Sequence, residues 1–589
     1  MRFIAAIVSF VIAFGLIAYG IAQRTVLAEA DSVTASTVLK TDATVTIIDS
    51  KTLKSLDGRQ KVTIGGSTKV FAAYGRTEDV LAWVGNTGYN KIGYSAQTRA
   101  LTNKLVAGKS TQVPDPQGSD LWLHEFSRAN SLDFTVNVPD DISIIIVSDG
   151  KEPAPSQLSI RWPLDNRTPW SGPLIAGGIA LLLLGLGLYL WALTHLRRAR
   201  GPRRKAPKMP RVPRQRSYKP RKPRAVSATG NRRSTRRRMV AIAPVLLIGT
   251  LALSGCSPQL WPEFLTGGSS STPTPTPTVA AKAGNTQAPA VTIPQLQDIV
   301  RKISAVATKA DADRNLELAK SRFEGAALDL RTANYAIRTV DSTFAPPVAI
   351  PAGDVKLTLP QQKNSWPRTV FTVVQKPADK PADKTAPQVA LMLVQATARD
   401  NFKVAYATAL QSTLSLDVAP ANIGAPRLGP DVKLLKLEPG KVAMAYGDII
   451  EKGPTSEFAK LFDTTKDTLI GLIGLDKRKA LQAALPATAA MTFANSDGPA
   501  DSIAFGSNNS GAIVAVYLNE TVTVKPVEAG AAVNPEGAVK SLAGITGSTK
   551  GTVAVYGDQL LFYVPSSTSS QKITLLGFAT GLISAKELS

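Results

Sequence analysis

The 589-residue sequence contains one cysteine, Cys256. No intrachain disulfide can form and no cysteine-based zinc site can be built, so any exported part must fold on core packing alone. Histidine is nearly as scarce, with only His124 and His195. His195 sits at the edge of an apolar run, which leaves His124 as the one candidate imidazole base, and no G-x-S-x-G motif accompanies it. A triad hydrolase is therefore not expected, nor is a metal or cofactor. Acidic residues are missing from one long stretch: residues 197–238 hold 19 Lys or Arg and no Asp or Glu. Without that stretch the formal charge of +24 falls to +5, so the basicity is local and does not describe a nucleic-acid-binding protein as a whole. Tyr218 is the only aromatic in the basic stretch. Base-stacking platforms are lacking, and nucleic acid is not an expected partner.

What the sequence does have is long uncharged apolar runs. Phe3–Ala22 spans 20 residues and Pro173–Leu193 spans 21, each matching the roughly 20 residues a helix needs to cross a bilayer. We read residues 1–23 as a first transmembrane helix acting as a signal anchor, and residues 173–193 as a second. A rival reading of the first takes "LAEA" (27–30) as a cleavage site before Asp31. The cationic residues after the second run hold residues 194–238 on the cytoplasmic side, as a Pro-rich disordered loop suited to anionic lipid headgroups. Residues 24–172 are then extracytoplasmic.

The third apolar run, Val240–Gly255, has 16 residues and contains Pro244. That is short for a span and suits the apolar region of a signal peptide. It ends in Leu253-Ser254-Gly255-Cys256, which resembles the lipobox of bacterial lipoproteins. The resemblance implies diacylglyceryl transfer to Cys256 and peptidase cleavage just before it. Residues 239–256 are accordingly read as a lipoprotein-type signal, and a diacylated Cys256 would be a durable anchor, since two acyl chains hold stably where one does not. A Ser/Thr/Pro-rich linker (257–290) follows, and residues 257–589 are expected outside.

Between the first two spans, residues 31–168 read as an all-β sandwich, immunoglobulin-like or jelly-roll. Runs such as "ATVTIID", "KVTIGG", "KVFAAYG", "VLAWVG", "DLWLHEF", "ISIIIVSDG" and "QLSIRW" suit strands, and no useful helical period appears. Tyr74, Trp83, Trp122 and Phe126 suit a core better than a sugar platform. Beyond the linker, Ile293, Leu296, Ile299, Val300, Ile303 and Val306 define one helical face, and "DRNLELAKSRFEGAALDLRTANYAIRTV" reads as a second helix. Strand runs follow, with "KPADKPADK" as an exposed hairpin loop. Helical segments then recur ("GKVAMAYGDIIEKG", "SEFAKLF", "TLIGLIGLDKRKALQAAL") before a second set of strands. The order predicts tandem α+β domains at 291–430 and 431–589. Each is similar to the NTF2-like cone fold, and the whole layout resembles uncharacterised actinobacterial envelope proteins; the latter resemblance implies location and architecture but no activity.

Remaining fragments of chemistry are weak. "VAGKST" (106–111) imitates a phosphate loop but has Asn103 where the leading glycine belongs. Ser569 and Lys572 fit S-x-x-K in a Ser-rich turn. Asp448 and Glu451 lie at i and i+3 on a helix, the placement a glycosidase pair would need, though solvated carboxylates do the same. No catalytic residue is assigned. The expectation is a multidomain membrane protein of the cell envelope with a non-enzymatic binding or assembly role. Its partners would be the bilayer, anionic lipids, other envelope proteins or cell-wall glycans. The alternatives are a polysaccharide-directed enzyme or accessory subunit, and a solute-binding lipoprotein.

Overall fold

The computed structural model describes residues 2–27, 30–164, 168–199, 287–376, 387–411 and 417–589. Most of the basic loop, the Val240–Gly255 run, the lipobox residues Leu253, Ser254, Gly255 and Cys256, and nearly all of the KPAD repeat lie outside the described residues. The chain divides into two compact units, Met1–Val33 with Arg161–Ala280, and Thr34–Ile160 with Ala281–Ser589.

In the first unit, helices α1 (Arg2–Arg24) and α4 (Ser171–Ala199) are long and apolar enough to cross a membrane. They pack against each other along small residues. Ala6, Ala13 and Gly20 are buried on α1, and Ser171, Gly178, Gly185 and Ala192 are buried on α4, both series stepping by seven. A methyl group on Gly178 would meet Ile17 Cγ1 at 2.5 Å, and one on Gly20 would meet Ile175 Cγ1 at 2.8 Å. At the far end Phe3 meets Tyr189 edge-on, with ring centroids 5.9 Å apart, so the helices run antiparallel. In an apolar solvent no hydrophobic force pushes helices together; close van der Waals approach through small residues does, and the seven-residue step keeps that seam facing its partner.

The second unit contains two sheets. Residues of the first are strands β1 (Ser32–Val38), β2 (Val45–Ile48), β3 (Gln60–Arg76), β4 (Tyr89–Ser95), β5 (Ala100–Val106), β6 (His124–Val136), β7 (Ile142–Val147) and β8 (Gln157–Pro163). They form one sheet in the order β1-β8-β3-β7-β2-β4-β5, with β6 on β3. The expected all-β sandwich is met in its β content only. All eight strands join one hydrogen-bonded sheet, β2 and β4 pair in parallel, and two short helices interrupt it, α2 (Ser50–Leu53) and α3 (Thr77–Val84). "VLAWVG" is helix, not strand. Glu78 and Asp79 stand in its first turn, where the helix dipole favours carboxylates, and Val80, Trp83 and Val84 bury one face; a short apolar run does not distinguish the two states. "KVTIGG" and "KVFAAYG" are one strand, β3, whose register on β6 shifts between Gly65 and Lys69.

The C-terminal segment opens with helix α5 (Ile293–Asp313), held at its start by a Thr292/Gln295 capping box. Leu296, Ile299, Val300 and Ile303 are buried as expected, whereas Ile293 is exposed. The expected second helix is broken into α6 (Leu316–Lys320) and α7 (Gly325–Val340). Between them Arg322–Glu324 leaves the helix to pair with Val404 through two backbone hydrogen bonds, and Gly325 takes φ +51°. Strands β9 (Val355–Pro360), β10 (Arg368–Gln375), β11 (Gln388–Gln395), β12 (Lys403–Leu410), β13 (Arg427–Leu428), β14 (Phe462–Asp463), β15 (Ala489–Asp497), β16 (Ile503–Gly506), β17 (Ala512–Pro526), β18 (Thr552–Val564) and β19 (Ile573–Glu587) make one eleven-stranded sheet. Ala409 of β12 faces Phe578 of β19, so the sheet continues across residue 430. "SEFAKLF" is a run of turns ending in β14, while helices α8 (Val442–Lys452), α9 (Thr468–Ile473) and α10 (Leu475–Ala483) match the expected helical segments. Helix α11 (Gly537–Ala543) was not expected.

Side-chain alternation explains the layers. On β10, Val370 and Val374 pack under α5 to α7, while Phe371 and Val373 pack inward. On β17, Val514, Val516 and Leu518 pack under α8, while Ile513, Ala515 and Tyr517 join the same inner cluster as Phe371. The sheet therefore turns one face onto itself, with helices outside each half. Strands buried on both faces read as continuous apolar runs, as these do.

The α1/α4 seam predicts that a Ser9→Cys/Gly185→Cys chain cross-links within one molecule when membranes are oxidised, because a Cβ at 185 lies 3.2 Å from that of residue 9. Failure to cross-link, or loss of residue 9 from the mature chain, would show that α1 is not a retained partner of α4.

Candidate functional site

The strongest concentration of charge chemistry lies inside the second unit, where its N-terminal segment (34–160) meets its C-terminal segment (281–589). Two carboxylates come from the first, and each is met by a guanidinium from the second, Asp79 being held by Arg76 of its own segment as well. Asp120 sits in the turn before β6, where "DLWL" was expected to be strand. Its side chain is fully buried. Arg322 approaches it with both terminal nitrogens, Nη1 to Oδ2 and Nη2 to Oδ1, the latter at 3.2 Å. The backbone N–H of Phe402 donates to Oδ2 at 2.9 Å, and Lys302 Nζ lies 3.6 Å from Oδ1. The turn's own backbone is satisfied from across the contact. Gln295 Nε2 donates to the Asp120 carbonyl at 2.6 Å, and the Asp120 N–H donates to Asn401 Oδ1 at 2.9 Å.

The second carboxylate, Asp79 on α3, is met by Arg368 of β10, whose Nη2 donates to Oδ1 at 2.7 Å. Both side chains are 2% exposed or less. Arg76 donates to Asp79 from Nε at 2.8 Å and reaches the Pro289 carbonyl at 2.9 Å from Nη1. The Arg368 guanidinium also lies over the Trp366 ring at 3.9 Å. Burial pulls the Arg368 guanidinium below its ordinary range, and Asp79 pushes it back up. Nearby, Arg399 donates from Nε and Nη2 to the carbonyls of Trp83 and Val84, each at 2.9 Å, at the C-terminal end of α3 where cations are favoured. An apolar cluster of Phe71, Trp83, Trp122 and Ile145 takes in Ala398 and Trp366 from the C-terminal segment.

A charge removed from water costs several kcal/mol unless it is paired and hydrogen-bonded. Three hydrogen bonds on Asp120, with Lys302 as a further cation beside it, and three on Asp79 meet that requirement. These residues were not visible as a site in the sequence: Asp120 and Arg322 are 202 positions apart, Asp79 and Arg368 are 289 apart, and no local pattern links them.

The residues singled out from sequence have mostly structural roles. Trp83 and Trp122 are core, packed edge to face at 5.5 Å, and the Trp122 indole donates to the Pro116 carbonyl. Exposed His124 stacks on Tyr74 and Phe126, while Glu125 accepts from the Gly118 N–H at 2.8 Å. Gly108 of "VAGKST" lies against the Asn86–Gly88 backbone, where a Cβ would come within 2.1 Å of Gly88 N; the loop is packed, not open to a phosphate. Ser569 Oγ accepts from the Gln571 N–H within its own turn. Asp448 is held below the usual carboxylate range, first by Lys452 and then by the Ser456 hydroxyl, so it is a paired surface group. Asp448 and Glu451 do border one open cleft with Asn495 and Asp497. Among the described residues no group of His, Cys, Asp and Glu has metal-binding geometry.

One buried acid stands apart from the contact. Asp558 of β18 is fully buried, and burial pushes its carboxyl up to about 7; the nearby Thr580 hydroxyl lowers it, Glu520 raises it, and Arg478 lowers it again. Arg478 is itself engaged with Glu520 at 3.3 Å and with Asn495 at 3.0 Å.

Two expectations follow. Asp120→Ala strands Arg322 and the Phe402 N–H, and should destabilise the purified full-length chain by about 3–5 kcal/mol, read as a lowered thermal midpoint. Asp298→Ala, half-exposed on the neighbouring surface, should stay within about 0.5 kcal/mol. Asp558 ionises near 3.8 when unfolded and near 7 when folded, so the folded state holds the extra proton between those values. Stability should fall as pH rises across that window, and Asp558→Asn should flatten the dependence in denaturation midpoints measured from pH 4 to pH 8.

No curated protein and no solved structure matches the chain. The sequence model of a family described as a domain of unknown function, DUF8094, matches residues 287–587, the whole of the segment that carries Arg322, Arg368 and Arg399. With half of its length covered by that match, the chain belongs to the DUF8094 family.

Proposed function

We propose that the protein is a membrane-anchored envelope component in which the N-terminal sheet serves as a dock for the DUF8094 segment, with a binding or assembly role and no catalysis. The observation that carries this is the single compact unit formed by residues 34–160 and 281–589, tied by Asp120/Arg322 and Asp79/Arg368. Segments that fold together share one side of a membrane. The chain between them must then cross an even number of times, and α4 supplies one crossing. Val240–Gly255 is the apolar run available for the return, which supports its reading as a lipoprotein-type signal with Cys256 as the lipidated residue and Leu253-Ser254-Gly255 as the recognition sequence. Residues 24–172 and 257–589 are then extracytoplasmic, residues 194–239 are cytoplasmic, and the basic loop lies against anionic headgroups.

The space between the two halves of the large sheet holds Phe371, Met392, Tyr406, Phe505 and Ile513. That apolar filling favours an assembly role over a polysaccharide-directed enzyme or a hinged solute-binding lipoprotein. The NTF2-like reading of each half belongs to the same proposal, supported by helices packed on the outer face of each.

Mass spectrometry of the membrane fraction tests the anchor. A diacylated peptide starting at Cys256 is expected, and it should vanish in Cys256→Ala. An intact 62.2 kDa chain without lipid would sink the lipoprotein reading.

A further inference from the structure

We infer that the contact between residues 34–160 and residues 281–589 is sufficient to hold the two segments together without the chain that connects them, so that scission before Cys256 yields a two-chain complex and not two independent proteins. The inference rests on the lipoprotein reading for its biological setting; the contact itself is described above and does not depend on that reading.

Three features of the contact carry it. First, the ion pairs that cross the contact have one polarity, with Arg76 of the N-terminal segment, among the described residues, the one cation on the carboxylate side. The carboxylates of Asp79 and Asp120 belong to the N-terminal segment, and Arg322, Arg368 and Lys302 belong to the C-terminal one. Such sorting is what separate partners use to find and orient each other. Second, the centre is anchored by buried aromatic and guanidinium groups, Trp83 and Trp122 on one side and Arg368 with the partly buried Trp366 on the other, with apolar neighbours around them. Buried aromatic and arginine anchors inside a water-excluding ring are what dominate stable protein–protein contacts. Third, the polar backbone is completed across the contact. The Asp120 carbonyl and N–H, and the Trp83 and Val84 carbonyls, take partners from the opposite segment. The C-terminal segment also has packed apolar clusters of its own, one with Ile303 and Leu391 and another with Val514 and Leu560.

The partner that the N-terminal sheet fits is therefore specific: the DUF8094 segment, recognised through two buried carboxylates and the α3 C-terminus. The N-terminal segment remains tied to its membrane helices after scission, and the C-terminal segment remains tied to the lipid on Cys256. The contact would make the two anchors one assembly.

The test uses the full-length chain with an affinity tag at its N-terminus and a site-specific protease sequence inserted after Ser270. Cutting there frees residues 271–589 from the Cys256 lipid as well as from the membrane helices, so retention in detergent reports the contact alone. Residues 271–589 should stay on the tagged half through washing after the cut. Asp120→Asn should release them. Arg399→Ala removes an exposed side chain whose hydrogen bonds all go to the opposite segment, and should weaken retention by about tenfold, the loss expected for a charge-assisted hydrogen bond. Release of the unaltered segment on cutting overturns the inference, as does retention that both substitutions leave unchanged. A chain with no natural fragment beginning at Cys256 counts against the lipoprotein reading only, because the engineered cut supplies the scission.

Discussion

A carboxylate taken out of water has to be neutralised where it sits, and Asp120 finds its cation 202 positions along the chain, on Arg322. Much of the second unit is arranged around that pairing and its companion, Asp79 with Arg368. The turn from Ser119 to Leu123 leaves the sheet to present Asp120. The helical run after α5 breaks so that Arg322–Glu324 can pair with Val404, which aims Arg322 at the turn. The capping residue of α5, Gln295, spends its amide nitrogen on the Asp120 carbonyl. Local irregularities that look like defects in isolated elements are the geometry that two buried ion pairs require. Buried pairs add less net stability than apolar packing of the same volume, yet losing one partner is costly; such a contact is therefore selective for its own counterpart.

The constraint extends to the membrane. Residues 34–160 and 281–589 fold as one unit, while the residues between them include a helix long enough to span. The packed α1/α4 pair, with Gly20, Gly178 and Gly185 at points of closest approach, brings residues 25 and 170 to the same end of an antiparallel hairpin. A single principle, close packing wherever hydrogen bonding or burial permits, thus acts in both units. In the second unit it works through apolar faces and paired charges, and between the two helices long and apolar enough to cross a membrane it works through small residues on a seven-step seam.

Much of the fold was legible in the residues. Uncharged runs of helix-spanning length mark α1 and α4, and most strands from β9 to β19 follow β-branched runs. Helix α5 follows its apolar period together with the Thr292/Gln295 cap. What failed to read did so for identifiable reasons. "VLAWVG" has too few residues to separate a helical from an extended period, and its buried Asp79 has meaning only once Arg368 is beside it. "KVTIGG" and "KVFAAYG" look like two strands because Gly65 and Gly66 interrupt the apolar pattern, although the ladder absorbs them as a register shift. The repeating order of elements predicts tandem α+β domains, and order alone carries no information on whether two half-sheets share an edge, as β12 and β19 do. As for the candidate site, Trp83 and Trp122 were recognisable as core, but none of the arginines that surround them was.

The sequence by itself determined the long apolar runs, the cationic stretch that follows the second of them, the placement of the lone Cys256, and the alternation that buries one face or both of each strand. These are properties of consecutive residues, where spacing along the chain equals spacing on the element. Only the tertiary structure decided that β12 and β19 join one sheet, that α6 and α7 are separate, and that Asp79 and Asp120 meet Arg368 and Arg322. Those outcomes depend on which distant groups can satisfy a buried charge or a strand edge, and that choice is made by the assembled fold.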